Sequence, residues 1–142
     1  MASANVSEQL SFLLETFASK MAGVTSVLVS SKDGLQLAAH NLVEDGASDR
    51  LSAVTSGLFS LTKGVGSLLD GDGTLKQNVA EFGGGFLFVV PGGPGANVTV
   101  LTDSTVDVGQ IGYDIALLVK QVSHVMSVEA RHPQARSDGQ AG

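Results

Sequence analysis

Three segments of the chain place apolar residues at alternating spacings of three and four, the pattern of a helix with one apolar face. They cover residues 5–22, 49–69 and 105–131. The apolar stripe of the second segment is Leu51, Val54, Leu58, Leu61, Val65 and Leu68. The pattern therefore predicts three amphipathic helices, each with an apolar stripe of its own to bury inside the protomer.

Shorter apolar segments between these helices predict five strands. Their predicted ranges are 24–30, 35–40, 75–82, 85–90 and 97–102. Turn-forming residues separate them, at Lys32-Asp33-Gly34, at Gly83-Gly84 and through the glycine- and proline-rich residues 91–95. Because residues 86–90 are continuously apolar, we expect that strand to be central and covered on both faces.

The predicted order is α-β-β-α-β-β-β-α. Hairpins join strands in antiparallel fashion, so the order predicts a five-stranded, mostly antiparallel sheet. Three amphipathic helices then have to sandwich this sheet, which makes the fold class α/β or α+β. A length of 142 residues suits one domain. We expect this domain to span residues 1–131, followed by a polar, disordered tail at 132–142.

Composition and charge disfavour several classes of function. The net charge is −6, and the eight basic residues are spread singly, so a nucleic-acid or anionic-membrane partner is not expected. The absence of cysteine excludes thiolate metal sites and cysteine nucleophiles. Neither a signal sequence nor a long apolar stretch stands out, which predicts a cytoplasmic protein without membrane insertion.

Motifs that carry catalytic or metal chemistry are not convincing either. Asp70, Asp72 and Glu81 match positions 1, 3 and 12 of a calcium-binding loop, but Leu75 stands where that loop needs glycine. The glycine clusters are not followed by Lys-Ser or Lys-Thr, so they do not form phosphate loops. We therefore predict no metal, no cofactor and no enzymatic activity.

One unusual feature lies in the second predicted helix. Small residues recur at spacings of four and three beside the apolar stripe: Ala53, Gly57, Ser60, Gly64 and Ser67. Glycine inside a helix costs about 1 kcal/mol relative to alanine, so its use calls for a close backbone approach. Two interpretations remain open: the stripe packs within the protomer, or it contacts a helix of a second copy.

The order of elements and the residues along it resemble the roadblock/dynein light chain family. The resemblance covers residues 10–128 and is specific because pattern, order and spacing agree. The segments that carry it are Gly23-Val24, residues 31–35, residues 51–58, the glycine-led strand at 84–90, and residues 107–113. The chain looks most similar to roadblock proteins of actinomycete conservon operons, which also encode a sensor-kinase-like protein and a Ras-like GTPase.

The resemblance implies a homodimer that regulates or scaffolds a small Ras-like GTPase. In roadblock dimers the second helices pack together and the third strands pair into one sheet. The implied interface residues are Ala53, Gly57, Ser60, Gly64, Ser67, Leu75, Gln77, Val79 and Glu81. The charges of Lys76 and Glu81 either guard the strand edge or flank a pairing seam. An alternative function is a small-ligand sensor domain of related fold.

Overall fold

The computed structural model describes residues 4–131. The helices are α1 (Ala4–Lys20), α2 (Ala47–Thr62) and α3 (Val108–Arg131), and a 3₁₀ segment (Lys63–Leu68) continues α2. The strands are β1 (Val24–Ser31), β2 (Gln36–His40), β3 (Asn78–Phe82), β4 (Gly85–Pro91) and β5 (Ala96–Asp103). The predicted element order is confirmed, while the tail predicted at 132–142 lies outside the described residues.

The five strands form one antiparallel sheet in the order β2-β1-β5-β4-β3, so the predicted fold class is confirmed. The expectation that residues 86–90 form the central strand is wrong, because β5 occupies the middle of the sheet. Leu87, Phe88 and Val89 of β4 are nevertheless buried in succession, so both faces of that strand are covered. A continuous run of apolar residues predicts that both faces of a strand are covered, but it does not predict where the strand lies in the sheet.

Helices α1 and α3 pack on one face of the sheet and build the hydrophobic core. Their buried apolar residues are Val6, Leu10, Leu14 and Phe17 of α1, and Ile111, Ile115, Leu118 and Val122 of α3. They meet Val27, Val29, Phe88, Val98 and Val100 of the strands. The core is aliphatic apart from Phe17 and Phe88, and each fully buried side chain of this kind contributes about 1.5–3 kcal/mol.

Helix α2 lies on the opposite face, but with an orientation that the sequence pattern did not predict. The stripe from Leu51 to Leu68 was expected to pack inside the protomer, and this expectation is wrong for Val54, Leu61, Val65 and Leu68, which are exposed. The fully buried residues of α2 are instead Ser52 and Thr55. The hydroxyl groups of Thr55 and Thr99 of β5 lie 2.7 Å apart in a buried hydrogen bond. Periodicity identifies an apolar face but does not identify what covers it.

The ends of the second and third helices also differ from prediction. The α-helical part of α2 stops at Thr62, whose hydroxyl donates to the carbonyl of Leu58 at 2.7 Å. Such back-bonding weakens a helix, and the glycine-rich continuation tightens into the 3₁₀ segment. Helix α3 begins after Asp107, whose carboxylate accepts the backbone N–H of Gln110 at 3.0 Å and caps the first turn.

Candidate self-association surface

The side of α2 that faces away from the sheet carries an exposed apolar row. We define the apolar row as Val54, Leu61, Val65 and Leu68, which are between 47% and 81% exposed. Leu51 and Leu58, the remaining members of the stripe, are partly buried. Contiguous exposed apolar side chains of this kind mark a protein interaction surface.

The stripe of small residues lies beside the apolar row and is also exposed. Its members are Ala53, Gly57, Ser60, Gly64 and Ser67. A Cβ atom added at Gly57 or at Gly64 would meet no atom within 4 Å among the described residues. The interpretation that these two glycines serve packing inside the protomer is therefore wrong. The second interpretation, contact with another copy, stays a prediction.

Gly66 is the glycine that does permit a close approach within the protomer. A Cβ atom at Gly66 would overlap the backbone carbonyl of Gly73. Gly73 itself has a φ of +78°, a left-handed conformation that favours glycine. This contact holds the segment before β3 against the end of α2, and so places the third strand next to the apolar row.

Strand β3 forms one edge of the sheet and pairs with β4 alone among the described strands. Its outer backbone groups are available to a further strand. Val79 and Phe82 are 45% and 62% exposed. Val79 pairs with Phe88, so by alternation Val79 and Glu81 project to the face that carries α1 and α3, opposite α2. The predicted interface residues Val79 and Glu81 therefore lie at the sheet edge near α2, but their side chains project from the opposite face of the sheet.

The two other residues predicted on this strand, Leu75 and Gln77, precede it, because β3 starts at Asn78 and not at residue 75. They line an open groove of about 760 Å³ that also borders Val65 and Gly66. A turn at the edge of this groove is held by Asp72, whose carboxylate accepts the backbone N–H of Thr74 at 2.9 Å. That hydrogen bond lowers the pKa of Asp72 below its ordinary value.

With α2 and β3 in place, comparison with known proteins decides the family. The profile of the Roadblock/LC7 domain matches residues 12–102, well over half of the chain. The chain belongs to the Roadblock/LC7 family. This family consists of regulatory or scaffolding domains. A search of curated proteins gives no significant match.

Solved structures of Roadblock/LC7 type share the fold. A Roadblock/LC7 domain from Streptomyces avermitilis is 33% identical, with a TM-score of 0.75, over 82% of this chain and 97% of that one. The gliding protein MglB from Thermus thermophilus is 19% identical, with a TM-score of 0.76 over 88% and 93%. MglB from Myxococcus xanthus is 14% identical, with a TM-score of 0.78 over 90% and 94%. The Streptomyces match agrees with an actinomycete type of roadblock protein, and the two MglB matches show the fold.

The described part of this Roadblock/LC7 chain contains no cluster of three or more His, Cys, Asp or Glu residues that could hold a metal ion. None of the helices within residues 4–131 is long and apolar enough to cross a membrane.

The apolar row was not among the residues that the sequence pointed to as an interface. A signal for it does exist, because residues 51–62 contain no charged residue over three helical turns. A surface helix covered on one side only carries charged or polar residues on its other face. The uncharged stretch is therefore the sequence signal that could have drawn attention to the exposed apolar row.

Proposed function

We propose that the chain is a non-enzymatic module of the cytoplasm that self-associates through α2 and β3 and presents the paired surface to a small Ras-like GTPase. The observation that carries the proposal is the apolar row, exposed on α2 next to the free edge of β3. Covering these four side chains would stabilise an assembly by part of the roughly 1.5–3 kcal/mol that full burial of each contributes, since they are 47–81% exposed. A second copy would cover the row.

The small stripe supports a partner helix as the element that covers α2. The space above Gly57 and Gly64 is open, so another backbone can approach α2 closely at these positions. Two copies related by a twofold axis would bring the same helix and the same edge strand together, because a symmetric interface uses one patch twice. Pairing of two β3 strands would then satisfy the outer backbone groups of each.

The proposed role toward a GTPase rests on membership of the Roadblock/LC7 family. Arg50 lies exposed in the first turn of α2, where the ordinary interpretation is a solvated charge and not a catalytic finger. The described residues therefore suggest a scaffold: the pair would act by holding the switch elements of the GTPase in place. A sensor-kinase-like protein is a further proposed partner.

The test is a pull-down with purified Ras-like GTPases from the same genome, each loaded with GDP or with a non-hydrolysable GTP analogue. We expect the wild-type chain to retain one of them and the Leu61→Asp variant to lose it. Phe12→Asp is the matched control, because Phe12 is 68% exposed and Leu61 79% exposed, but Phe12 lies on α1, on the other face of the sheet. A dimeric wild-type chain that retains none of the GTPases contradicts the proposed partner.

A small-ligand sensor remains the alternative, and the groove of about 760 Å³ beside Leu75 and Gln77 is the observation that favours it. Ligand pockets combine apolar walls with a few polar groups, as this groove does with Val65, Leu69 and Lys63. Native mass spectrometry discriminates the two functions, since a sensor retains a small molecule and the proposed scaffold does not.

A further inference from the structure

Part of the contact between helix α2 and the sheet is a layer of polar side chains. We define the polar layer as Ser52 and Thr55 of α2 with Ser30, Asn97 and Thr99 of the strands, all of them 0–1% exposed. Ser30 and Asn97 are register partners on β1 and β5, and Asn97 and Thr99 share a face of β5. The polar layer therefore lies between the helix and the strands at the middle of the sheet.

The polar layer is poorly satisfied. Thr55 and Thr99 share a hydrogen bond. Within the described residues, the hydroxyls of Ser30 and Ser52 and both polar atoms of the Asn97 amide have no hydrogen-bond partner. A buried polar atom without a partner loses its hydration and gains nothing in return. These unpaired atoms weaken the docking of α2, although Leu28, Leu87 and Val89 of the strands are also buried on the face that it covers.

The sequence of α2 adds little helical stability of its own. Its sixteen residues include four serines, two threonines and a glycine, all poor helix formers relative to alanine. The N-cap residue is Gly46, with a φ of 76°, and it supplies no side-chain hydrogen bond. Isolated helices shorter than about 12–15 residues are marginal in water even when they are rich in alanine, and α2 is only slightly longer. Helix α2 thus depends on its contacts, and these combine apolar residues such as Leu28 and Val89 with the poorly satisfied polar layer.

We propose that α2 is conditionally stable: in the single protomer it opens from the sheet readily, and it becomes firmly docked only when its apolar row is covered. The covering surface is a second copy of the chain, so the inference rests on the proposed self-association. Its consequence is that the surface offered to a GTPase would be fully formed in the pair and largely unformed in the free protomer. The concentration of the chain would then regulate the availability of that surface.

Amide hydrogen exchange, read by mass spectrometry on the full chain, tests the proposal at two concentrations that bracket dissociation. In the dilute sample we expect the amides of residues 47–62 to exchange at least about tenfold faster than those of β5 and of residues 111–122 in α3. In the concentrated sample the exchange of residues 47–62 should slow by about the same factor, whereas β5 and α3 should change little, because local opening and not global unfolding is suppressed.

Two serine variants test the polar layer itself, without reference to self-association. Ser52→Ala removes a buried hydroxyl that has no partner, and Ser60→Ala removes an exposed one from the same helix. Both raise helix propensity equally. In dilute samples, Ser52→Ala should therefore slow the exchange of residues 47–62 about tenfold more than Ser60→Ala does, since it also removes the cost of an unpaired buried group.

The outcomes separate the two proposals. If the amides of residues 47–62 exchange as slowly as those of β5 in the dilute sample, the inference is overturned. It is also overturned if dimer formation leaves the exchange rate of residues 47–62 unchanged. Equal effects of Ser52→Ala and Ser60→Ala also overturn it, because the polar layer would then not weaken docking. A chain that stays monomeric at every concentration contradicts the proposal that a second copy covers the apolar row, and it contradicts regulation by concentration as well. In that case the exchange rates in dilute samples and the comparison of Ser52→Ala with Ser60→Ala still test whether α2 is weakly docked.

Discussion

Gly66 and Gly73 lie so close together that their backbones would not both fit if Gly66 carried a side chain. The contact joins the 3₁₀ segment after α2 to the loop before β3. It also explains why Gly66 is needed inside the protomer. Gly64 is not needed there, because the space above it is open.

Gly66→Ala should therefore destabilise the protein, because the backbone around Gly73 has to move to admit the new Cβ atom. We expect a loss of about 1–3 kcal/mol in the free energy of unfolding, the usual cost of overpacking. Gly64→Ala, two residues earlier, is the control and should be neutral or slightly stabilising. Urea unfolding of both variants measures the difference, and equal stabilities would mean that the Gly66–Gly73 contact does not constrain the fold.

Larger side chains at Gly57 and Gly64 test the small stripe as a contact with a second copy. Leucine at either position has open space in the protomer, so Gly57→Leu and Gly64→Leu should stay folded. Their added volume should block the approach of a partner helix and weaken dimerisation. Sedimentation velocity and thermal unfolding, run together, give both properties for each variant.

The control for these variants is Gly112→Leu, because Gly112 is another glycine with open space above it, in α3. It should stay folded and dimeric. Should Gly57→Leu and Gly64→Leu both dimerise as the wild type does, the small stripe faces solvent in the assembled protein and its glycines serve another purpose.

The turn between β5 and α3 predicts a pH-dependent property. The carboxylate of Asp103 accepts hydrogen bonds from the hydroxyl and the backbone N–H of Thr105, at 2.7 and 2.9 Å. The side-chain bond is the larger cause and the backbone bond the second cause of a pKa below the ordinary value of 3.8. A lowered pKa in the folded state means that the turn is stabilised above pH 3.8 and loses this stabilisation as the pH falls through the folded value.

Thr105→Val should raise the pKa of Asp103 toward its ordinary value, as an NMR titration of the side-chain carboxyl would show. Thr74→Val is the comparison. The pKa of Asp72 is lowered first by the backbone N–H of Thr74, which the substitution keeps, and second by its hydroxyl. The pKa of Asp72 should consequently move less than that of Asp103. Equal movements would contradict this assignment of the hydrogen bonds.

The glycine-rich segments predict a negative result with nucleotides. Residues 83–84 and 92–95 connect antiparallel strands, and Gly85 packs against the carbonyl of Thr102, so these glycines serve turns and close strand contacts. Purified protein should neither bind GTP nor hydrolyse it, as calorimetry and phosphate release would measure. Stoichiometric nucleotide binding would overturn the interpretation of these segments as turns.

Much of the fold follows from local pattern. The turn at Lys32-Asp33-Gly34 was predicted from residue type, and the structure has Gly34 at a φ of +89° between paired strands. The stripes of α1 and α3 were predicted from spacing and lie in the core. In these cases the same residues that set the local conformation also supply the buried contacts, so sequence pattern and packing agree.

The orientation of α2 could not be predicted in the same way. A stripe such as Leu51, Leu58 and Val65 has the same spacing whether its own sheet or a second protein covers it. The sheet face under α2 contains Ser30, Asn97 and Thr99 beside apolar residues, and these three polar residues lie against Ser52 and Thr55. The start of β3 was missed because Leu75 and Gln77 line the groove beside α2 and do not pair with β4.

Self-association through α2 and β3 is the central claim, and the mass of the protein in solution tests it most directly. The chain has a mass of 14.5 kDa. Multi-angle light scattering at micromolar concentration should give about twice that mass for the wild type, because a symmetric pair uses the same patch on each copy. Leu61→Asp should give the mass of one chain, and Phe12→Asp, on the other face of the sheet, that of two. A wild-type chain that remains a stable monomer, or a Leu61→Asp variant that still pairs fully, would contradict the claim.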